Sequence, residues 1–227
     1  MDKLSNTKSL AWWKILTVLL LLYSIIAGLL LEVPRLPILN ETIRNLFYHV
    51  PMWFGMTILL LLSFIHSIIY LKKNTPHNDL LAVESANTGI VFGVLGLMTG
   101  MLWAKFTWGT FWVSDPKLNS AAIGLLIYLG YTVLRGSFTD EQQRARISSV
   151  YNIFSFPVFI ALIYILPRLT DSLHPGNGGN PAFSSYDLNS KMRLVFYPAV
   201  CGFILLGYWI TTLRVRMRAL QNHLNWN

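Results

Sequence analysis

The uncharged run Ile15-Leu-Thr-Val-Leu-Leu-Leu-Leu-Tyr-Ser-Ile-Ile-Ala-Gly-Leu-Leu-Leu31, closed by Glu32-Val-Pro34, decides the class of this chain. It has the length of the roughly 17–25 residues that cross a bilayer as a helix. A signal peptide carries a shorter apolar core and a small-residue cleavage site. Neither is evident, so the run reads as a first transmembrane helix. Five further apolar segments, 52–71, 80–103, 118–134, 147–166 and 194–213, repeat the pattern. Leu, Ile, Val and Phe fill them without the alternation of barrel strands, which leaves helices to satisfy the backbone inside a bilayer. The predicted fold is an all-α membrane protein, one integral domain over 1–227 with six transmembrane helices and no internal repeat.

Composition agrees with this reading. Hydrophobic residues make up 54% of the 227, mean hydropathy is +0.49, and charged residues supply 12%, against about 25% in a soluble domain. The net charge of +8 could suggest nucleic acid, but the basic residues sit at the ends of apolar runs rather than in one patch. They read as topology signals, and no nucleic-acid partner is expected. Cys201 is the one cysteine, so the chain can form no internal disulfide and has no C-x-x-C-H site for covalent haem attachment.

Orientation follows from counting. With the N-terminus in the cytoplasm, that side receives Lys3, Lys8, Lys14, Lys72, Lys73, Arg135, Arg144, Arg146, Arg214, Arg216 and Arg218. The other side receives Arg35, Arg44, Lys105, Lys117, Arg168, Lys191 and Arg193. The bias favours both termini inside, with a basic tail at 214–227 lying on the inner membrane surface. By parity alone, three connections then share the outer face: the loop after the first helix, the segment 104–118, and the long polar stretch 167–193. The last contains Pro175-Gly-Asn-Gly-Gly-Asn-Pro181, which cannot be a regular helix.

The second outer loop is Trp-rich. Trp108-Gly-Thr-Phe-Trp-Val-Ser-Asp-Pro-Lys-Leu-Asn119 packs aromatics, an acid and a base between two apolar segments. Large aromatics present about 150–250 Å² each and could hold a planar apolar ligand at the bilayer surface, although Trp belts also mark membrane interfaces in general. Asp115 before Pro116 is also a good helix N-cap. Of the five histidines, only His49 and His174 share the face of this loop. His66 lies in the second helix and reads as an interhelical hydrogen-bonding residue, His77 and His223 as solvated inner-face residues. Glu84 is expected to pair with His77 or a basic residue at headgroup level. A loop His is usually only solvated, so the residues alone leave the pair open.

The ordered pattern Trp-Gly-x-x-Trp-x-x-Asp-x-Lys-Leu at 108–118 resembles the WWD signature of the CcmC/CcsA family of haem-handling proteins in cytochrome c biogenesis, and most closely its CcmC branch. Phe111 and Ser114 stand where the family usually carries Trp, Lys117 where it carries Arg, and Asn119 where it carries Thr. His49-Val-Pro51 matches a family His before the second helix, and His174 matches one in the last outer loop by order and position. The resemblance implies non-covalent haem b held at the outer face between the axial ligands His49 and His174 and the cofactor-binding residues Trp108, Phe111, Trp112, Asp115 and Lys117. Imidazole nitrogens suit such iron. Propionates need cationic donors, and among the seven outer basic residues the sequence selects none.

The resemblance further implies a protein of the bacterial inner membrane that presents haem to a CcmE-like chaperone. Other membrane subunits, including an ABC-type ATPase, would belong to the same delivery complex. The chain itself has no phosphate loop and no catalytic grouping, and reads as a non-enzyme. Two other readings stay open: a transporter moving haem or another small substrate through the bundle, and a bis-His b-type electron-transfer protein. The first requires polar residues lining a path across the bilayer. The second requires haem that stays bound.

Overall fold

A computed structural model describes residues 12–36, 38–174 and 188–224, with side chains described to Gln221; among them the regular structure is all helical. Six helices are long and apolar enough to cross a membrane. They are α1 (Trp12–Leu30), α2 (Leu46–Lys73), α3 (Pro76–Trp108), α4 (Pro116–Gly136), α5 (Glu141–Ile160) and α6 (Ser190–Leu224). A 3-10 turn at Asn40–Asn45 leads into α2, and α5 continues through a widened turn, Ala161–Ile165, to a 3-10 turn at Leu166–Arg168.

The helices run beyond the predicted spans because local chemistry at their ends lets them. The 28 residues of α2, 33 of α3 and 35 of α6 correspond to about 42, 50 and 52 Å at about 1.5 Å per residue, against a hydrocarbon core of about 30 Å. Their ends therefore project from the bilayer. Pro51 falls inside α2, where its missing N–H leaves the Phe47 carbonyl without a helical donor. Asn74 takes the left-handed conformation (φ 49°) that turns α2 into α3, and Pro76 starts α3 where a missing N–H costs nothing.

Two expectations need correction. The Trp-rich connection is not 104–118 but 109–115, because α3 continues through Trp108 and is stopped by Gly109 at φ 80°. Trp108 is thus a helical residue, held rigidly. The stretch 214–227 is not a separate surface extension: α6 runs unbroken to Leu224. Arg214 and Arg218, one turn apart, both reach Glu84 on α3, at 2.5 and 3.4 Å, which keeps the last turns of α6 against the bundle. Residues 225–227, Lys3, Lys8, the side chain of His223 and the Pro175 to Pro181 motif lie outside the described residues.

In the bundle α2 is central, packed against α3, α5 and α6, while α1 lies on α6 and α4 on α3 and α5. Small residues bring the central helices together. A Cβ on Gly55 would meet the Phe92 ring at 2.7 Å, and one on Gly93 would meet Met56 Sδ at 2.6 Å, so backbone approach at these crossings depends on glycine. A core of Met56, Leu59, Leu60, Phe92, Tyr128 and Phe159 fills the middle. A second cluster, including Ile43, Phe47, Leu188, Met192 and Phe196, seats the first connection and the start of α6 on the end of the bundle where the α1–α2, α3–α4 and α5–α6 connections meet. That end carries the site.

Candidate functional site

The first imidazole is positioned by α3. His49 stands in the first turn of α2, and its Nδ1 lies 3.1 Å from Thr99 Oγ1. The single Thr99 hydroxyl proton is already directed at the Leu95 and Gly96 carbonyls, 2.9 and 3.0 Å away, so Thr99 accepts from Nδ1–H. The ring sits edge-on to Trp103 (centroids 5.9 Å apart) and Trp53 (6.4 Å). The preceding turn is tied to the same stretch of α3: Asn45 Nδ2 donates to the Thr99 carbonyl at 3.1 Å, and Trp103 Nε1 donates to Thr42 Oγ1 at 3.1 Å.

Asp115 positions the second. It is 1% exposed and caps α4, accepting through Oδ1 from the Lys117 and Leu118 N–H groups at 2.9 and 3.4 Å. Its Oδ2 reaches across to the segment after α5, accepting from Ser172 Oγ at 2.9 Å and from the Leu173 N–H at 2.7 Å. His174 Nδ1 lies 3.0 Å from Asp115 Oδ1 and 3.2 Å from Ser172 Oγ. One buried carboxylate therefore joins the Trp-rich connection to the last one. Burial pushes the Asp115 carboxyl up, but the donors Leu173, Ser172 and Lys117 and the neighbouring His174 outweigh it and hold the group below the usual carboxylate range. Burial also depresses the His174 imidazole, to about 4; Asp115 raises it and Lys117 lowers it further. At neutral pH the imidazole is uncharged, as a metal ligand must be.

The two imidazoles face the same end of the bundle. His49 and His174 lie within electrostatic range of one another, and Trp108 stands edge-on to His174 with centroids 5.1 Å apart. Lys117 is within electrostatic reach of His174. Trp112 and Phe111 are 37% and 51% exposed on the same connection, offering apolar faces at its rim. Lys105 fixes this rim: its ammonium donates to the Gly109 carbonyl at 2.8 Å and lies 5.6 Å from the centre of the Phe111 ring. Among the described residues no three His, Cys, Asp or Glu side chains cluster to hold a bare metal ion. The arrangement is two imidazoles with aromatic rings edge-on to them.

Several basic residues at this end of the bundle have other work. Arg44 donates to the Gly28 and Leu31 carbonyls at 3.0 and 2.6 Å and to Glu41 at 2.8 Å, closing the end of α1. Arg193 donates to the Leu188 carbonyl at 3.1 Å, and Lys191 lies 3.8 Å from Glu32.

At the opposite end, His66 hydrogen-bonds Asn78 at 3.0 Å, an interhelical bond as expected, and His77 is exposed. Of the two partners expected for Glu84, a basic residue is the one found: it pairs with Arg214 and Arg218, and not with His77. Sequence reasoning missed two groups there. Arg135 binds Asp79 through both oxygens, at 2.8 and 2.5 Å, and Ser148 Oγ at 2.7 Å. Asn152 donates to Ser63 and Ser67 at 2.7 and 2.9 Å. It also missed Trp53 and Trp103, for which a signal existed: Trp53 follows His49 at i+4, on the same helical face.

These features define a multi-pass helical membrane protein with a two-histidine, tryptophan-lined site at one end of its bundle. The family described as "Heme exporter protein C", CcmC, matches residues 3–227. The chain belongs to the CcmC family. It is similar to "Heme exporter protein C" of Haemophilus influenzae, 27% identical over 69% of this chain and 63% of that protein. It is likewise similar to that of Paracoccus denitrificans, 27% identical over 82% of this chain and 76% of that protein. With that of Escherichia coli it shares 28% identity over 61% of this chain and 54% of that protein. For the Haemophilus and Escherichia relatives, then, less than two thirds of the length is matched.

Proposed function

We propose that this protein binds haem b without a covalent bond at the outer face of the bacterial inner membrane and presents it to a CcmE-like chaperone for c-type cytochrome maturation. His49 and His174 supply the axial nitrogens. Trp108, Trp112 and Phe111 supply apolar faces, Lys117 a cation for a propionate, and Asp115 the frame. Haem is cargo here, and the iron contributes the axial bonds that hold it until transfer. The observation that carries the reading is the placement of His49 and His174 at one end of the bundle within electrostatic range of each other, His174 beside Trp108 and each with Nδ1 engaged by the protein. Ligating histidines are commonly held in this way. The bias of basic residues toward the opposite end supports an outer placement of the site. Membrane subunits that include an ABC-type ATPase complete the delivery complex.

A route for a substrate through the bundle has less support. The buried Asn152 and Glu84 and the half-buried pair Asp79 and Arg135 gather in the half of the bundle away from the site, and Met56, Leu59, Phe92 and Phe159 fill the middle.

The test is the absorption spectrum, oxidised and reduced, of the detergent-purified protein beside His49→Ala and His174→Ala. The expected result is a six-coordinate b-type spectrum, converted to five-coordinate or lost in each variant, with haem leaving the wild type when the chaperone is supplied. An unchanged spectrum in both variants overturns the axial pair. Haem that stays bound in the chaperone's presence identifies an electron-transfer protein instead.

A further inference from the structure

The carboxylate of Asp115 is surrounded by donors on every side. Oδ1 faces the Lys117 and Leu118 N–H groups and His174 Nδ1; Oδ2 faces Ser172 Oγ and the Leu173 N–H. An ionised carboxylate accepts and cannot donate, with about four lone-pair directions in all. Nothing in this shell except His174 can choose where its proton sits. Ser172 has one hydroxyl proton, and it is given to Asp115 Oδ2, so Ser172 Oγ also meets Nδ1 as an acceptor. Both neighbours of Nδ1 therefore demand N–H there. A neutral imidazole has a single N–H, which leaves Nε2 bare.

We propose that Asp115 is a positioning residue: it holds His174 as the Nδ1–H tautomer and thereby makes Nε2 the nitrogen offered to an iron ligand site. Thr99 imposes the same tautomer on His49 from the other side. The carboxylate on His174 makes that ring the more basic of the two donors, since a hydroxyl acceptor withdraws less of the N–H proton than a carboxylate does. The acid of the Trp-rich motif thus acts on the haem through the last connection rather than by touching haem itself. This consequence rests on the haem reading above; the tautomer does not.

The experiment is ¹⁵N NMR of the full-length apo protein in detergent with ¹⁵N-histidine, the His174 signals assigned by their loss in His174→Ala. Wild type is expected to show Nδ1 protonated and Nε2 bare. In Asp115→Asn the amide can donate to Nδ1, and the proton is expected to move to Nε2, as replacing a carboxylate partner by an amide does to an imidazole elsewhere. The same variant is then expected to bind hemin roughly 10- to 100-fold more weakly, a cost usual for losing a ligand's hydrogen-bond partner, with a five-coordinate spectrum. Ser172→Ala keeps the Asp115 contact and is expected to keep the wild-type tautomer.

An Nε2–H signal in wild type overturns the proposal on its own, whether or not Asp115→Asn folds. So does an unchanged tautomer in a folded Asp115→Asn. A shifted tautomer with no hemin uptake by wild type upholds the positioning role and removes the haem reading instead.

Discussion

Gly100 on α3 faces the His49 imidazole so closely that a Cβ there would lie 2.7 Å from Cε1 and 3.4 Å from Nδ1. The ring has no room to give way toward α3, because Thr99 holds Nδ1 from the neighbouring position. Gly100→Ala therefore either rotates the imidazole out of the site or parts the helices, and overpacking of this kind costs about 1–3 kcal/mol. The expected outcome is a folded protein with normal helical circular dichroism and a haem spectrum like that of His49→Ala, although both histidines remain. A wild-type spectrum from Gly100→Ala would show that His49 does not stand where an axial ligand stands.

The end opposite the site depends on a different acid. Glu84 is 1% exposed and takes Arg214 at 2.5 Å and Arg218 at 3.4 Å. Losing one partner of a fully buried pair costs about 3–5 kcal/mol. The side chains of Arg214 and Arg218 are 37% and 58% exposed, so water offsets much of that, and Glu84→Gln is expected to cost about 1–2 kcal/mol. Arg214→Gln is expected to cost less, because Arg218 remains for Glu84. Thermal unfolding of the two variants and of the double variant measures the coupling. Equal losses in both single variants would mean that Arg218 cannot substitute.

Stability of the apo protein should fall in acid in two windows. The folded chain holds His174 near 4 instead of 6.5, so between those values the unfolded chain takes up a proton that the folded chain refuses. This contribution is whole above pH 6.5, erodes as pH falls, and is spent near pH 4. Asp115 acts in the same direction in a lower window. Its folded value lies below 3.8, so the stability it adds is present above 3.8 and is lost only at lower pH. His174→Ala is expected to flatten the slope between pH 6.5 and 4 and to leave the steeper fall at lower pH, read from urea or thermal unfolding across the range. An unchanged slope would mean that His174 is solvated.

The number and order of the helices were legible because each apolar run is long enough to span by itself. Their ends were not, because they turn on caps: Lys105 looks like a charge that should end a span, yet it folds back on Gly109 and lets α3 reach Trp108. Parity alone placed His49 and His174 on one face, and the Asp-Pro step at 115 and 116 announced the cap of α4. The second task of Asp115 was not legible, since its partners Ser172 and Leu173 lie 57 and 58 residues away with no local pattern to mark them. For the same reason Arg135 read only as a topology signal. Its partner Asp79 is 56 residues earlier, in another helix.

The site is drawn from four places along the chain, and the ribosome delivers them in sequence. His49 comes with the second helix, Trp108 with the third, Asp115 at the start of the fourth, and His174 only after the fifth has been made. A nascent chain that has inserted four helices already exposes one imidazole and its tryptophans, while the Asp115 carboxylate still lacks the segment that saturates it. On the haem reading proposed above, such a chain would offer an iron one nitrogen at most. Synthesis of the connection that follows the fifth helix is then the step that brings the second imidazole and saturates Asp115.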